Sequence, residues 1–250
     1  MPEGDAVLRT ARRLDRALSG AILTRTDLRV PRFATLDLRG HRIESTIARG
    51  KHLLTRIGDD WTLHTHLRMD GSWKLLKPGA RWSVASHAVR AVLETETTVA
   101  LGVLLGVVEV LPRQDEAAAV AHLGPDLLGA EWDEDEALQR LLARAEVPVF
   151  DALRDQTVVA GLGTIWAAET LFTMGVHPTT PVGAVPDPTR MLRVARLKLQ
   201  QAVERSGPMA VYGRDHAPCR RCRTPVRRIA MGAQGRPRPA YFCPSCQPAR

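Results

Sequence analysis

The chain has 250 residues, of which 44% are hydrophobic and 25% charged, and a formal net charge of +8. That composition is ordinary for a globular protein and leaves room for one large domain or two to three smaller ones. With no run of about 18 apolar residues, a membrane-spanning helix is not expected. Arg9, Arg12, Arg13 and Arg16 break what would have to be the apolar core of a secretory signal, so the cytoplasm is the default compartment.

Residues 1–5 read MPEGD and run straight into AVLRTARRLDRALS, where Val7, Ala11, Leu14 and Leu18 recur at i, i+4, i+7 and i+11. This spacing predicts an amphipathic helix, with Asp5 as its N-cap and Gly20 as its stop. From Ala21 to about Leu111 the pattern turns to short alternating stretches, among them AILTRTDLRV, HRIESTIARGKHLLTRI, WTLHTHLRM, GSWKLL, HAVRAVLET and VVEVL. Many short strands punctuated by turn residues predict an antiparallel sandwich or barrel. After Pro112 the character is helical, in DEDEALQRLLARA, VFDALRDQTVVA, TIWAAETLFTMG and PTRMLRVARLKLQQAVERSG, with TTPVGAVPDP as a loop. The expected fold class is a multidomain α+β protein, divided into a β domain at 1–112, a helical domain at 113–208 and a small module at 209–250.

The small module carries the charge. Residues 209–250 hold nine Arg, no Lys and one Asp, which makes +8, so the first 208 residues are formally neutral. It also holds every cysteine: Cys219 and Cys222 in CRRC, then Cys243 and Cys246 in CPSC after twenty intervening residues. Two CxxC pairs at this separation can close a tetrahedral Zn²⁺ site. A unit this short buries little core, so bound metal would supply its folding energy. Four thiolates leave no open coordination position, so one structural zinc is expected. Between the pairs, RTPVRRIAMGAQGRPRPAYF reads as an Arg-dense hairpin, a good phosphate binder.

Within the helical region, Gly161 and Gly163 flank Leu162 ahead of Thr164, which is suited to cap the next helix. The N–H groups at such a helix start form an anion site; Gly-x-Gly turns also serve simply to pack two helices closely. His64 and His66 in LHTHL lack a third ligand nearby in sequence, and strand alternation favours packing or partner-facing roles for them over a metal pair. Only four basic residues are Lys, at 51, 74, 77 and 198, so a retained Lys asks for a reason.

Four features in order, MPEGD, ARGKHLL, AGLGTIWAAE and the cysteine module ending RPAYFCPSCQ, resemble the formamidopyrimidine-DNA glycosylase / endonuclease VIII family of DNA repair enzymes along essentially the whole chain. The MPEGD start is similar to the actinobacterial endonuclease VIII branch. The resemblance implies an N-terminal β-sandwich, a helix–two-turn–helix domain and a zinc finger. It implies a cytoplasmic, nucleoid-associated monomer that takes damaged DNA, double- or single-stranded, in a cleft between its halves. Base excision would be followed by strand cleavage through β,δ-elimination.

It also implies roles. Pro2, once Met1 is removed, presents a secondary amine as nucleophile toward C1′. An α-amino group titrates at about 7.7–8.0, and the adjacent helix N-terminus disfavours its protonation. Glu3 would be the acid, Lys51 a phosphate contact and acid/base, and Arg238 the finger arginine gripping phosphates beside the flipped nucleotide, with Arg236 as a nearby competitor. Met69 sits where the family inserts an apolar side chain to fill the gap left by a flipped base. Thr164 stands where the family usually has Asn. ALGVLLGVVEV lacks the Arg-Phe wedge of guanine-directed members, which favours oxidised pyrimidines as substrates. A noncatalytic damaged-DNA-binding protein on the same scaffold is the alternative. Length and the cysteine module disfavour a tautomerase with an N-terminal proline, and for a zinc-ribbon RNA-processing factor the MPEGD start would be coincidence.

Overall fold

The computed structural model describes residues 2–205, 207–232 and 237–249. Arg236 lies outside them. The chain divides into two compact units, one of residue 2 and residues 6–121, the other of residues 3–5 and 122–249.

The first unit is a β-sandwich flanked by a helix. Helix α1, Gly4–Leu18, buries Val7, Ala11, Leu14 and Leu18, the four positions its spacing predicted. One sheet has the order β1-β6-β7-β5, from strands β1 Arg25–Leu28, β5 Ser72–Leu76, β6 Val89–Glu94 and β7 Val99–Val103. The other has the order β2-β3-β4-β8, from β2 Ile43–Arg49, β3 His52–Ile57, β4 Trp61–His66 and β8 Val107–Pro112. All their pairings are antiparallel. Leu53, Ile57 and Leu63 join Trp73, Leu93, Ala100 and the helix in the core. The intervening His52, Leu54 and Arg56 therefore lie on the outer face of the second sheet, because strand side chains alternate.

On that outer face, Glu116 of the short helix α2, Glu116–Val120, accepts from Arg56 Nη2 at 2.7 Å and from Thr62 Oγ1 at 2.6 Å. Burial alone would raise the Glu116 pKa; the Arg56 and Thr62 hydrogen bonds outweigh it and hold the carboxyl below its ordinary value. A depressed carboxyl stabilises the fold above its unfolded pKa and loses that contribution as pH falls through the folded value. Glu116→Gln should therefore cost about 2 kcal/mol at pH 7, with the gap to wild type closing below about pH 4. Urea melts at both pH values check this; a gap that does not change with pH would contradict it.

The second unit packs α3 Glu134–Leu142, α4 Val149–Arg154, α5 Thr164–Met174 and α6 Pro188–Glu204 around Phe150, Leu153, Leu171 and Leu192. Asp133 caps α3 through the Glu136 amide, and Asp187 caps α6 through the Arg190 amide. The hairpin β9 Arg227–Met231 with β10 Arg238–Phe242 joins the same core through Val226, Met231 and Ala240. Buried Glu169 of α5 ties the segment after α6 to this core, accepting from the amides of Ala210, Val211 and Tyr212, each at 2.9 Å. Among the described residues, no helix is long and apolar enough to cross a membrane.

Three local expectations need correction. The helix expected through VFDALRDQTVVA ends at Arg154; Asp155 is extended and its Oδ1 takes the Thr157 amide and hydroxyl at 2.9 and 2.7 Å, a local bond that competes with helix. Asp5 is not the cap of α1, which starts one residue earlier. Thr164 is not the cap of α5; Gly163 is, and Thr164 is the first helical residue, 2% exposed.

Candidate functional site

The helix start at α5 is an anion site, and its anion comes from the chain itself. The Glu3 carboxylate, 1% exposed, accepts from Gly163 N at 2.9 Å, Ile165 N at 2.7 Å and Trp166 N at 3.3 Å. These are amides that a helix N-terminus leaves without intrahelical partners, and bonds from them to a carboxylate are charge-assisted. Glu3 thus supplies the capping that Thr164 was expected to give. The approach is fixed on both sides of it: Gly4 N donates to Gly161 O at 2.9 Å, and Trp166 Nε1 donates to Asp5 Oδ1 at 3.0 Å. Gly161 has φ +96°, a conformation that suits glycine, and its amide donates to Gln156 Oε1 at 3.1 Å.

Arg154, Arg238 and Tyr212 share this region. Burial pulls the Arg154 pKa down, with Asp151 opposing, Arg238 adding to the fall and Glu3 opposing it. Tyr212 is pushed up by burial, then by Tyr241 and Glu3, against Arg238; its ring meets Tyr241 edge-on at 5.1 Å. Glu3, Gly161, Gly163, Thr164 and Arg238 therefore belong to one neighbourhood. Sequence reasoning missed Arg154 and Tyr212, which no motif marks.

In the first unit, Gly50 and Lys51 form the turn between β2 and β3. The Lys51 charge acts on His66, whose pKa falls to about 4, first through burial and then through Arg68, Lys51 and His64. Met69, 46% exposed, follows Arg68 in the loop after β4. That loop is fastened to the loop after β7 by Gly106 N donating to His66 O at 2.9 Å. The second loop carries Leu104, 51% exposed with φ +50°, which sequence reasoning did not single out.

The Sγ atoms of the four cysteines lie within 4.8 Å of one another, and none of the four is in a disulfide. Cys219 to Cys246 is 4.0 Å, Cys222 to Cys243 3.4 Å and Cys222 to Cys246 3.5 Å. A tetrahedral Zn–S shell with bonds of about 2.3 Å places its sulfurs about 3.8 Å apart, so the cluster fits that shell. Cys222 is drawn down to about 6, first by its Thr224 hydrogen bond, and Cys246 is pushed up to about 12, first by burial.

Comparison with known proteins agrees with this arrangement. Residues 1–102 match the formamidopyrimidine-DNA glycosylase N-terminal domain, and residues 123–210 match the H2TH domain of the same family. The chain is 46% identical to a probable endonuclease 8 2 of Streptomyces coelicolor over 99% of this chain and 94% of that one. It is 43% identical, over the whole of both chains, to the DNA-(apurinic or apyrimidinic site) lyase Nei2 of Mycolicibacterium smegmatis. A crystal structure of Lactococcus lactis formamidopyrimidine DNA glycosylase, non-covalently bound to DNA with an abasic site, superimposes with a TM-score of 0.86 at 25% identity, covering 99% of this chain and 100% of that one. With the Glu3-capped helix, the hairpin and the cysteine cluster in one chain, and with both domain matches in order, the chain belongs to the formamidopyrimidine-DNA glycosylase family.

Proposed function

We propose that the protein is a bifunctional DNA glycosylase and abasic-site lyase of base excision repair, acting on oxidised pyrimidines. The observation that carries this reading is the Glu3 carboxylate. It follows the Pro2 amine directly in the chain and is held by three amides at the start of α5, beside Arg154 and Arg238.

The Pro2 nitrogen, freed by removal of Met1, attacks C1′ as the C1′–base bond breaks. Glu3 takes the proton that Pro2 loses and passes it to O4′ as the ring opens, leaving an iminium between Pro2 and C1′. Loss of a C2′ proton then feeds electrons toward C3′ and expels the 3′ phosphate, and δ-elimination releases the 5′ phosphate. Lys51 and Arg238 hold the flanking phosphates, with Arg236 assisting. Gly161, Gly163 and Thr164 form the helix entry that keeps Glu3 in place near the DNA backbone. Met69 fills the gap left by the flipped nucleotide.

Cys219, Cys222, Cys243 and Cys246 hold one structural zinc, which shapes the hairpin bearing Arg238. The division at 112 and 208 separates the catalytic sandwich, the helical DNA-binding domain and this finger. The protein works as a monomer on double- or single-stranded damaged DNA in the cytoplasm, at the nucleoid.

Borohydride trapping tests this reading. Wild type with a free Pro2 amine should form a covalent adduct with abasic DNA and incise it. Chains that retain Met1 should form none, and Pro2→Gly should lower base excision by about 100-fold or more. Binding of damaged DNA without any adduct would instead support the noncatalytic reading.

A further inference from the structure

Arg154 closes helix α4, and its surroundings hold the guanidinium without using all of it. Nη1 donates to Asp151 Oδ1 at 3.0 Å, one turn back on the same helix. The guanidinium carbon lies 5.0 Å from the centroid of the buried Phe150 ring. Asp151 also accepts from the Gly232 backbone, just past β9. The Arg154 carbonyl accepts from Gln156 Nε2 at 2.8 Å, and the same nitrogen donates to Leu162 O at 2.8 Å, while Gln156 Oε1 takes the Gly161 amide. The Gln156 side chain thus ties the Arg154 backbone to the turn that positions Glu3.

A guanidinium carries five N–H donors on three nitrogens. Among the described residues, Arg154 bonds through Nη1 alone, and Nε and Nη2 make no hydrogen bond. The side chain is nevertheless only 20% exposed. An i,i+3 ion pair contributes little by itself, so the Asp151 contact is a weak reason to keep a cation so far from water.

The charge around Arg154 is incomplete. Burial, Asp151, Arg238 and Glu3 act on it, in that order. Glu3 is committed to the three amides at the start of α5, and Asp151 is shared between Arg154 and Gly232. Two guanidiniums in electrostatic reach of one another, with both nearby carboxylates engaged, make a place for a further anion. A phosphodiester suits it, because the arginine fork matches phosphate oxygens and partial burial weakens the screening of the attraction.

We propose that Arg154 is a second arginine contact to the DNA backbone, taking a phosphodiester of its own beside the one held by Arg238. Asp151 and Phe150 preset the guanidinium, so little side-chain freedom is lost when the phosphate arrives. The inference rests on the reading of Arg238 as a phosphate contact and extends it by one residue and one phosphate.

The test is the affinity of the full-length, zinc-loaded protein for a duplex with a tetrahydrofuran abasic analogue, titrated against salt at fixed pH. Each neutralised phosphate adds about 0.9 to the slope of log K against log salt concentration. Arg154→Gln should lower that slope by about 0.9 and weaken binding by about tenfold or more at low salt. Arg154→Lys keeps the charge but not the fork, and should restore the slope with part of the affinity. An Arg238→Gln background separates contact from mere support of the hairpin: there, Arg154→Gln costs a further slope of about 0.9 if Arg154 touches phosphate, and nothing more if it only holds Arg238 in place. Should Arg154→Gln fail to fold, the double variant Arg154→Gln/Asp151→Asn removes the pair without changing the net charge, and should show the same loss. A wild-type slope in Arg154→Gln or in that double variant, or no further loss in the Arg238→Gln background, would overturn the proposal. Wild type that neither binds nor traps abasic DNA would overturn it together with the glycosylase reading, whereas trapping with an unchanged slope sinks the Arg154 contact alone.

Discussion

Replacing Gly163 with alanine should remove most base excision while leaving the helical unit folded. A Cβ at this position would stand 2.5 Å from Glu3 Oε1 and closer still to Glu3 Cδ. The backbone there is extended, with φ −133° and ψ −158°, so alanine fits it without strain. The added methyl therefore acts on Glu3, pushing the carboxylate off the amides of Gly163, Ile165 and Trp166. Positioned acid–base groups contribute about 100- to 10,000-fold, so the single-turnover excision rate should fall by about 100-fold or more. Gly207→Ala, where a Cβ meets nothing within 4 Å, is the control and should keep the wild-type rate. A Gly163→Ala variant with normal excision would mean that the Glu3 placement is unimportant to the reaction.

Stripping the metal should unfold the hairpin while sparing the sandwich. The hairpin segment lends three buried side chains to the second unit's core, Val226, Met231 and Ala240, with Ile229 and Tyr241 packed against it, whereas a structural zinc site contributes about 10–16 kcal/mol of apparent binding energy. Chelation should therefore abolish amide protection in β9 and β10 and weaken DNA binding by more than about tenfold, since Arg238 loses its mount. Cys222→Ser should behave the same way. The first unit, which contains none of the four cysteines, should keep its protection. Hydrogen exchange read beside metal content checks both halves of this expectation; a metal-free protein with full hairpin protection would refute it.

Much of the fold was readable wherever burial falls on one face. Val7, Ala11, Leu14 and Leu18 mark one face of α1, and the alternation in β2 and β3 reveals the hairpin that carries Lys51. Strand β7 shows no alternation of its own, because all five of its residues are buried, and only its place between alternating segments marks it as a strand. The site was legible in part. The residue types at positions 3, 161, 163 and 238 and the cysteine spacing drew attention to themselves. What they do to one another did not, because Glu3 caps a helix some 160 positions away, and neither end of that contact records it. Arg154 and Tyr212 were hidden for the same reason: each depends on tertiary proximity.

Helix α5 holds two carboxylates in different ways. Its first turn grips Glu3, and its own Glu169 grips the backbone at residues 210–212 that leads into the hairpin. Eleven helical residues span only about 16 Å, so a single stiff rod serves as the common ruler for the amino-terminal segment and the carboxy-terminal hairpin. A substitution that bends or shortens this rod would misalign both termini at once, even though it touched neither.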